Sequence, residues 1–316
     1  MGDRREARLQ TADAVMLLRP HAFGWNPETV ATNRFQSADA PAGDDIAARA
    51  VEEFDAAVRV LRDAGIECHV FADLADRHCA DAVFPNNWLS LHSDGTAVLY
   101  PMLAPARRRE RRMDLLEQLR GDGSFLFTRL IDLTHHELHG RFLEGTGSVV
   151  FDHVDRVAYA CRSARTHPVV LEDLCAQLGY RPHLYAAVDA DGIPVYHTNV
   201  IQMVGERFAL LCAEAIAETD RQSILDSLAA SGRRVLRITF TQAREFAGNM
   251  LELRAASGAQ ILVMSARARA ALGEELFGAL SAAVDRIVPV DVRTFEEFGG
   301  GSIRCMLAEV FLPRAR

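Results

Sequence analysis

No apolar run in the 316-residue sequence is long enough to cross a bilayer. The N-terminal stretch MGDRREARLQ has no apolar segment of the secretory kind, and Glu6 breaks the myristoylation pattern. A cytoplasmic location is therefore expected. Positive charge is not in excess: the formal net charge is −8, which disfavours nucleic acid and anionic membrane as partners. The one basic cluster, Arg107 to Arg112 interrupted by Glu110, precedes the helical pattern Met113–Leu119 and reads as a solvated helix start. There is no CxxC pair among the six cysteines, so neither a zinc site nor a disulfide framework is indicated. Cys68, Cys161 and Cys212 lie in apolar strand-like runs and Cys175 on a helix face, where a thiol behaves as a small hydrophobe. Linkers and low-complexity segments are also missing. Residues 36–43 read as a surface loop, and residues 1–316 as a single domain.

What remains is ordinary globular composition, 49% hydrophobic and 25% charged. Helical periodicity runs over 44–63, 113–119, 169–178, 220–230 and 266–283. Strand-like runs lie at 14–18, 66–71, 84–91, 96–100, 130–133, 148–151, 156–161, 181–188, 200–204, 208–212, 234–238, 250–254, 260–264, 286–290 and 303–311. The unit strand, strand, helix, strand recurs with little sequence identity. One polar residue interrupts apolar context in each unit: from Asn87 through Glu144, His197 and Asn249 to Cys305 the steps are 57, 53, 52 and 56 positions. Units spaced in this way suggest an α/β architecture closed around a common axis on which those residues converge, leaving no exposed sheet edges. The competing fold, a doubly wound Rossmann sheet, expects single strands between helices rather than hairpins.

Cys305 follows the glycines 299–301, which permit tight turns and close approach of a ligand to the main chain at Gly300 and Gly301. Its thiol needs a base or a thiolate-favouring site to act as a nucleophile. His197, in Tyr-His-Thr-Asn, can pass a proton near neutrality. Glu144 stands between an apolar pair and a Gly-x-Gly turn, an awkward place for a solvated charge, and is suited to orienting His197. Asn86 and Asn87 lie between aromatics, and buried amides require partners that a ligand can supply. Arg165 can grip a carboxylate. The stretch His135-His136-Glu137-Leu138-His139 is one residue short of HExxH, and no metal is expected there.

In combination, LEGTGS at Glu144, YHTN at His197 and GGGSIRC at Cys305 resemble the guanidine-modifying (pentein) superfamily. That group includes arginine and agmatine deiminases, dimethylarginine dimethylaminohydrolases and amidinotransferases. FPNNW at Asn87 and SART at Arg165 are most similar to its amidinotransferase-related hydrolases acting on citrulline. The resemblance implies a five-bladed α/β propeller of ββαβ units. It also implies Cys305 as nucleophile, His197 as acid/base, Glu144 as its carboxylate partner, and Asn87 (or Asn86), Asn199, Asn249, Arg165, Gly300 and Gly301 as substrate-binding residues. No cofactor is expected, the partner is a small ureido or guanidino amino acid, and a homodimer is allowed. Arginine deiminases carry aspartates where this chain has Asn87 and Asn199. Two amides suit a neutral ureido group, since they both donate and accept, and citrulline is the leading substrate. Arginine deimination, methylarginine hydrolysis, amidino transfer and a non-catalytic binding module are the alternatives.

Overall fold

The computed structural model describes residues 9–36, 44–121 and 124–315. The charged stretch up to Arg8 and positions 37–43 of the expected loop lie outside the described residues. Among the described residues fifteen strands occur: β1 (Ala14–Arg19), β2 (Glu67–Ala72), β3 (Leu89–Leu91), β4 (Thr96–Leu99), β5 (Arg129–Asp132), β6 (Val150–Asp152), β7 (Val157–Cys161), β8 (Arg181–Tyr185), β9 (Gln202–Val204), β10 (Phe208–Leu211), β11 (Arg234–Arg237), β12 (Leu251–Arg254), β13 (Gln260–Ser265), β14 (Arg286–Val290) and β15 (Ala308–Val310).

Their pairing repeats one pattern. An antiparallel pair is extended by a parallel third strand in β15-β1-β2, β3-β4-β5, β6-β7-β8, β9-β10-β11 and β12-β13-β14. The middle strand of each group is the most apolar, as Phe208–Leu211 and Val157–Cys161 show by being buried at every position. A helix precedes each third strand: Asp44–Asp63, Met113–Gly121, Pro168–Leu178, Glu218–Ala230, and the pair Ala266–Ala271 and Gly273–Ser281. A parallel partner needs such a crossover, whereas the antiparallel pairs of the last four groups close through short turns. In the first helix Ile46, Ala50, Phe54, Val58 and Leu61 are buried, one face at helical spacing.

The first group joins both ends of the chain, with Ala14 opposite Val310. It fuses with the second through Val310 beside Leu91, making one six-stranded sheet next to three of three strands. Buried clusters run from group to neighbouring group. Leu18 and Leu89 share one cluster and Tyr100 and Leu171 another. Tyr185, Leu210 and Met264 share a third, and Val263 and Phe54 the last.

Several expected strands are shorter than the sequence suggests. Pro85–Asn87, Gly145–Ser148, Thr198–Val200 and Ile303–Met306 are single helical turns ahead of β3, β6, β9 and β15. The helix expected over 266–283 breaks at Leu272, before Gly273 at φ +68°.

Candidate active site

Those turns carry the polar residues read from the repeat. Asn86 and Asn87 lie in the turn before β3, Glu144 caps the turn before β6, and His197 precedes the turn before β9. Asn249 stands just ahead of β12, and Cys305 lies within the turn before β15 rather than in a closing strand. Each therefore occupies the same place in its group. A tight turn frees the side chain from the alternation a strand would impose, so a polar group can point along the strand axis instead of into the packed faces.

Glu144, fully buried, accepts from His197 Nε2 at 2.8 Å and from Arg165 Nη1 at 3.2 Å on one oxygen, and from the Leu103 main-chain N–H at 3.1 Å on the other. Burial opposes its charge. Arg165, the His197 hydrogen bond and Arg107 outweigh that cost and hold the carboxyl well below the usual carboxylate range. Burial, against the pull of Glu144, pushes His197 down to about 4. The imidazole is thus neutral at pH 7, with its N–H committed to Glu144 and its lone pair on Nδ1. The main chain crosses that ring at Gly147, where a β-carbon would come within 2.7 Å of both His197 Nδ1 and Asn87 Nδ2. Only glycine permits the approach.

The Cys305 sulfur faces two amides. Asn249 Nδ2 lies 3.4 Å from it and also donates to the Asn199 carbonyl at 3.1 Å. Asn199 Nδ2 lies 3.7 Å from the sulfur, and its Oδ1 is buried without a partner. Asn87 is oriented from outside the pair: Arg107 Nη1 donates to its Oδ1 at 2.8 Å, and its Nδ2 donates to Asn86 Oδ1 at 3.1 Å.

One cavity brings together Cys305, His197, Asn87, Arg165, Gly300 and Gly301 with Asp81 and Arg107. Asn86, Asn199, Asn249 and Glu144 are not among its lining. Asn86 bonds Asn87 and Thr146, the other two asparagines face the sulfur, and Glu144 holds His197. Arg165 lines the cavity with most of its donors in use, on Glu144, Thr32 Oγ1 and the Thr29 carbonyl. Gly300 takes φ +61°, where a β-carbon would meet Asn33 and the Gln36 main chain, and its carbonyl accepts from Tyr196 Oη at 2.8 Å.

Arg107 corrects the reading of its cluster as a solvated helix start. It is 2% exposed, on the 3-10 turn Pro105–Glu110, and makes a bidentate pair with Glu110 at 2.9 Å on both arms. Asp81 lies 3.7 Å from its Nε and accepts from Asn26 Nδ2 at 2.7 Å. Burial raises Asp81 and takes Glu110 up to about 7, both against the pull of Arg107. The signal that could have revealed Arg107 was its position three residues before Glu110; Asp81, a lone acid in a small-residue run, gave none. The His-His-Glu-Leu-His stretch is a 3-10 turn, Thr134–His139, so His135 and His139 do not share a face. Glu137 turns instead to Arg111 and the Met102 N–H.

A family model described as N,N dimethylarginine dimethylhydrolase, eukaryotic, matches residues 19–312. No curated protein sequence matches the chain at a significant level. Among solved structures, the N-terminal domain of ArgZ, described as an arginine dihydrolase from the ornithine-ammonia cycle in cyanobacteria, superposes with TM-score 0.73 at 15% identity over 95% of this chain and 99% of that one. Unliganded AgrE gives 0.72 at 17% identity over 96% of this chain but 39% of its own length. A dimethylarginine dimethylaminohydrolase adduct with 4-chloro-2-hydroxymethylpyridine gives 0.62 at 14% identity over 94% and 99%. At these identities the likeness is one of α/β fold.

Proposed function

The chain belongs to the N,N dimethylarginine dimethylhydrolase family, and on that footing we propose that it is a cysteine-dependent hydrolase cleaving a C–N bond of a ureido or guanidino amino acid. The five ββαβ groups, whose buried clusters link them in cyclic order, are read as the blades of a propeller in one catalytic domain. Cys305 is the nucleophile, His197 the proton carrier and Glu144 its orienting partner. Citrulline is the leading substrate.

The observation that carries this choice is the hydrogen bond from Arg107 to Asn87 Oδ1. It takes one lone pair of the amide oxygen and, with one Nδ2 hydrogen on Asn86 Oδ1, leaves the second Nδ2 hydrogen to donate to a substrate. A guanidinium offers donors and no acceptor, so it gains nothing from that N–H, whereas a ureido carbonyl does. The sulfur faces amides at Asn199 and Asn249 rather than carboxylates, which agrees with an uncharged electrophile.

In the reaction, His197 Nδ1 takes the thiol proton as sulfur adds to the ureido carbon. The oxyanion is met by donors at Asn87 and the glycine loop at Gly300 and Gly301. His197 returns the proton to the departing δ-amine of ornithine, leaving S-carbamoyl Cys305. Water then gives a proton to His197 and hydroxide to the carbon, and sulfur leaves and is reprotonated. The released carbamic acid decays to ammonia and carbon dioxide. Asn199 and Asn249 position the sulfur. Arg165 and Asp81, which line the same cavity, supply charges for the amino-acid end.

The family description and the dimethylarginine dimethylaminohydrolase likeness favour a second reading, hydrolysis of a methylated guanidinium by the same residues. Incubation with citrulline, arginine, methylarginines and agmatine, with products identified by mass spectrometry, separates the two. Ornithine from citrulline supports the first; citrulline from arginine or methylarginine supports the second. Cys305→Ala should abolish turnover with the fold retained, and an active variant would end the covalent scheme.

A further inference from the structure

Two histidines that this chemistry leaves unused sit side by side on the turn Thr134–His139. We propose that His135, His136 and Asp173 form a binding site for a borderline divalent cation of the zinc, nickel and copper class. One ligand atom from each of the three lies within 4.8 Å of the others. Asp173 comes from the helix Pro168–Leu178, so the set is assembled by the fold and not by local sequence.

The donor positions favour metal. His135 Nδ1 lies 3.1 Å from the Asp132 carbonyl, which can only accept, so the ring carries its hydrogen there and its lone pair on Nε2. An imidazole whose second nitrogen donates to a carbonyl is the usual form of a metal ligand. His136 Nε2 lies 2.9 Å from Asp173 Oδ2, close enough for one cation to replace the proton they share and be held by both. His136 is only 6% exposed, so that pair is already largely stripped of water. The ring centroids are 4.2 Å apart. Gln177 Nε2, at 2.9 Å, holds the other oxygen of Asp173. Imidazole and carboxylate donors together suit zinc, nickel or copper over calcium or magnesium. His135 is exposed, so remaining positions face water.

A cation here would clip the 134–139 turn to the 168–178 helix. Between these elements the chain is already knit by His167 N–H on the Phe142 carbonyl at 2.7 Å and by the Leu143–Thr166 bridge. Those segments lead directly to Glu144 and Arg165.

The test uses tag-free, chelator-stripped Cys305→Ala protein, so that the cavity thiol cannot compete. Zinc titrated against a chromophoric chelator should show one equivalent bound, and cobalt should give visible d–d absorption without a near-ultraviolet thiolate band. His135→Ala, at an exposed position that leaves the fold intact, and Asp173→Asn should each weaken zinc at least tenfold. Absence of a bound equivalent at micromolar zinc, unchanged affinity in both variants, or a thiolate band would overturn the site.

Discussion

His197 shows how much of the chemistry is set by single contacts. Its Nε2–H is held by Glu144, and burial keeps the ring neutral down to about 4. His197→Asn should lower kcat/KM by roughly 10²- to 10⁴-fold, the usual worth of a positioned acid/base, read by steady-state kinetics with the thermal midpoint as control. In the native enzyme this ring should not limit the acid side of the kcat/KM profile until pH nears 4. A loss centred on 6.5 would mean that His197 titrates as if solvated. Arg107 offers a stability test. Arg107→Met leaves Glu110 and Asp81 without their cation, a loss of about 3–5 kcal/mol for a broken buried pair. Glu110 already stands at about 7 against an ordinary 4.5, and without Arg107 it rises further. A folded-state pKa above the unfolded one contributes stability below the unfolded value and loses it as pH rises through the folded value. The variant should therefore be closer to wild type in urea unfolding at pH 6 than at pH 8. An equal deficit at both would contradict the assignment.

Among the elements, the turns before β3, β6, β9 and β15 decide the site. The strand–strand–helix–strand order, the long helix over 44–63 and the recurrent step from Asn87 to Cys305 could be read from residue order, because buried faces impose apolar spacing. The turns could not. Phe84, Ser148, Val200 and Ile303 are buried, and their apolar neighbourhoods look the same in a 3-10 turn as in a strand end. Asp81 was illegible for another reason: a charge is recognisably buried only once its partners, drawn from other segments, are known. Gly147 can be tested directly. Gly147→Ala places a β-carbon against His197 Nδ1 and Asn87 Nδ2. A displacement of about 1 Å there should lower turnover about 10²-fold, and unchanged kinetics would show that the crossing is slack.

For the whole molecule, β15 is the fastening, lying between β1 and β3. A chain ending at Gly301 lacks the strand and the sulfur, and leaves the facing edges of β1 and β3 unpaired. It should aggregate on expression. A circular permutant with its termini linked and new ends opened in the exposed stretch at 190–191 keeps every pairing. It should fold and retain turnover, measured by circular dichroism and product formation.

This placement also sets an order of assembly. Protein synthesis delivers Asn87, Glu144, His197 and Asn249 before Cys305, and the strand that locks the first group arrives after all of them. A nascent polypeptide still on the ribosome therefore holds His197 and Glu144 before Cys305 is made. If Cys305 is the nucleophile, as proposed, its sulfur and the strand that locks the first group come in the same few residues of elongation, and a copy stopped short of them cannot attack metabolites around it.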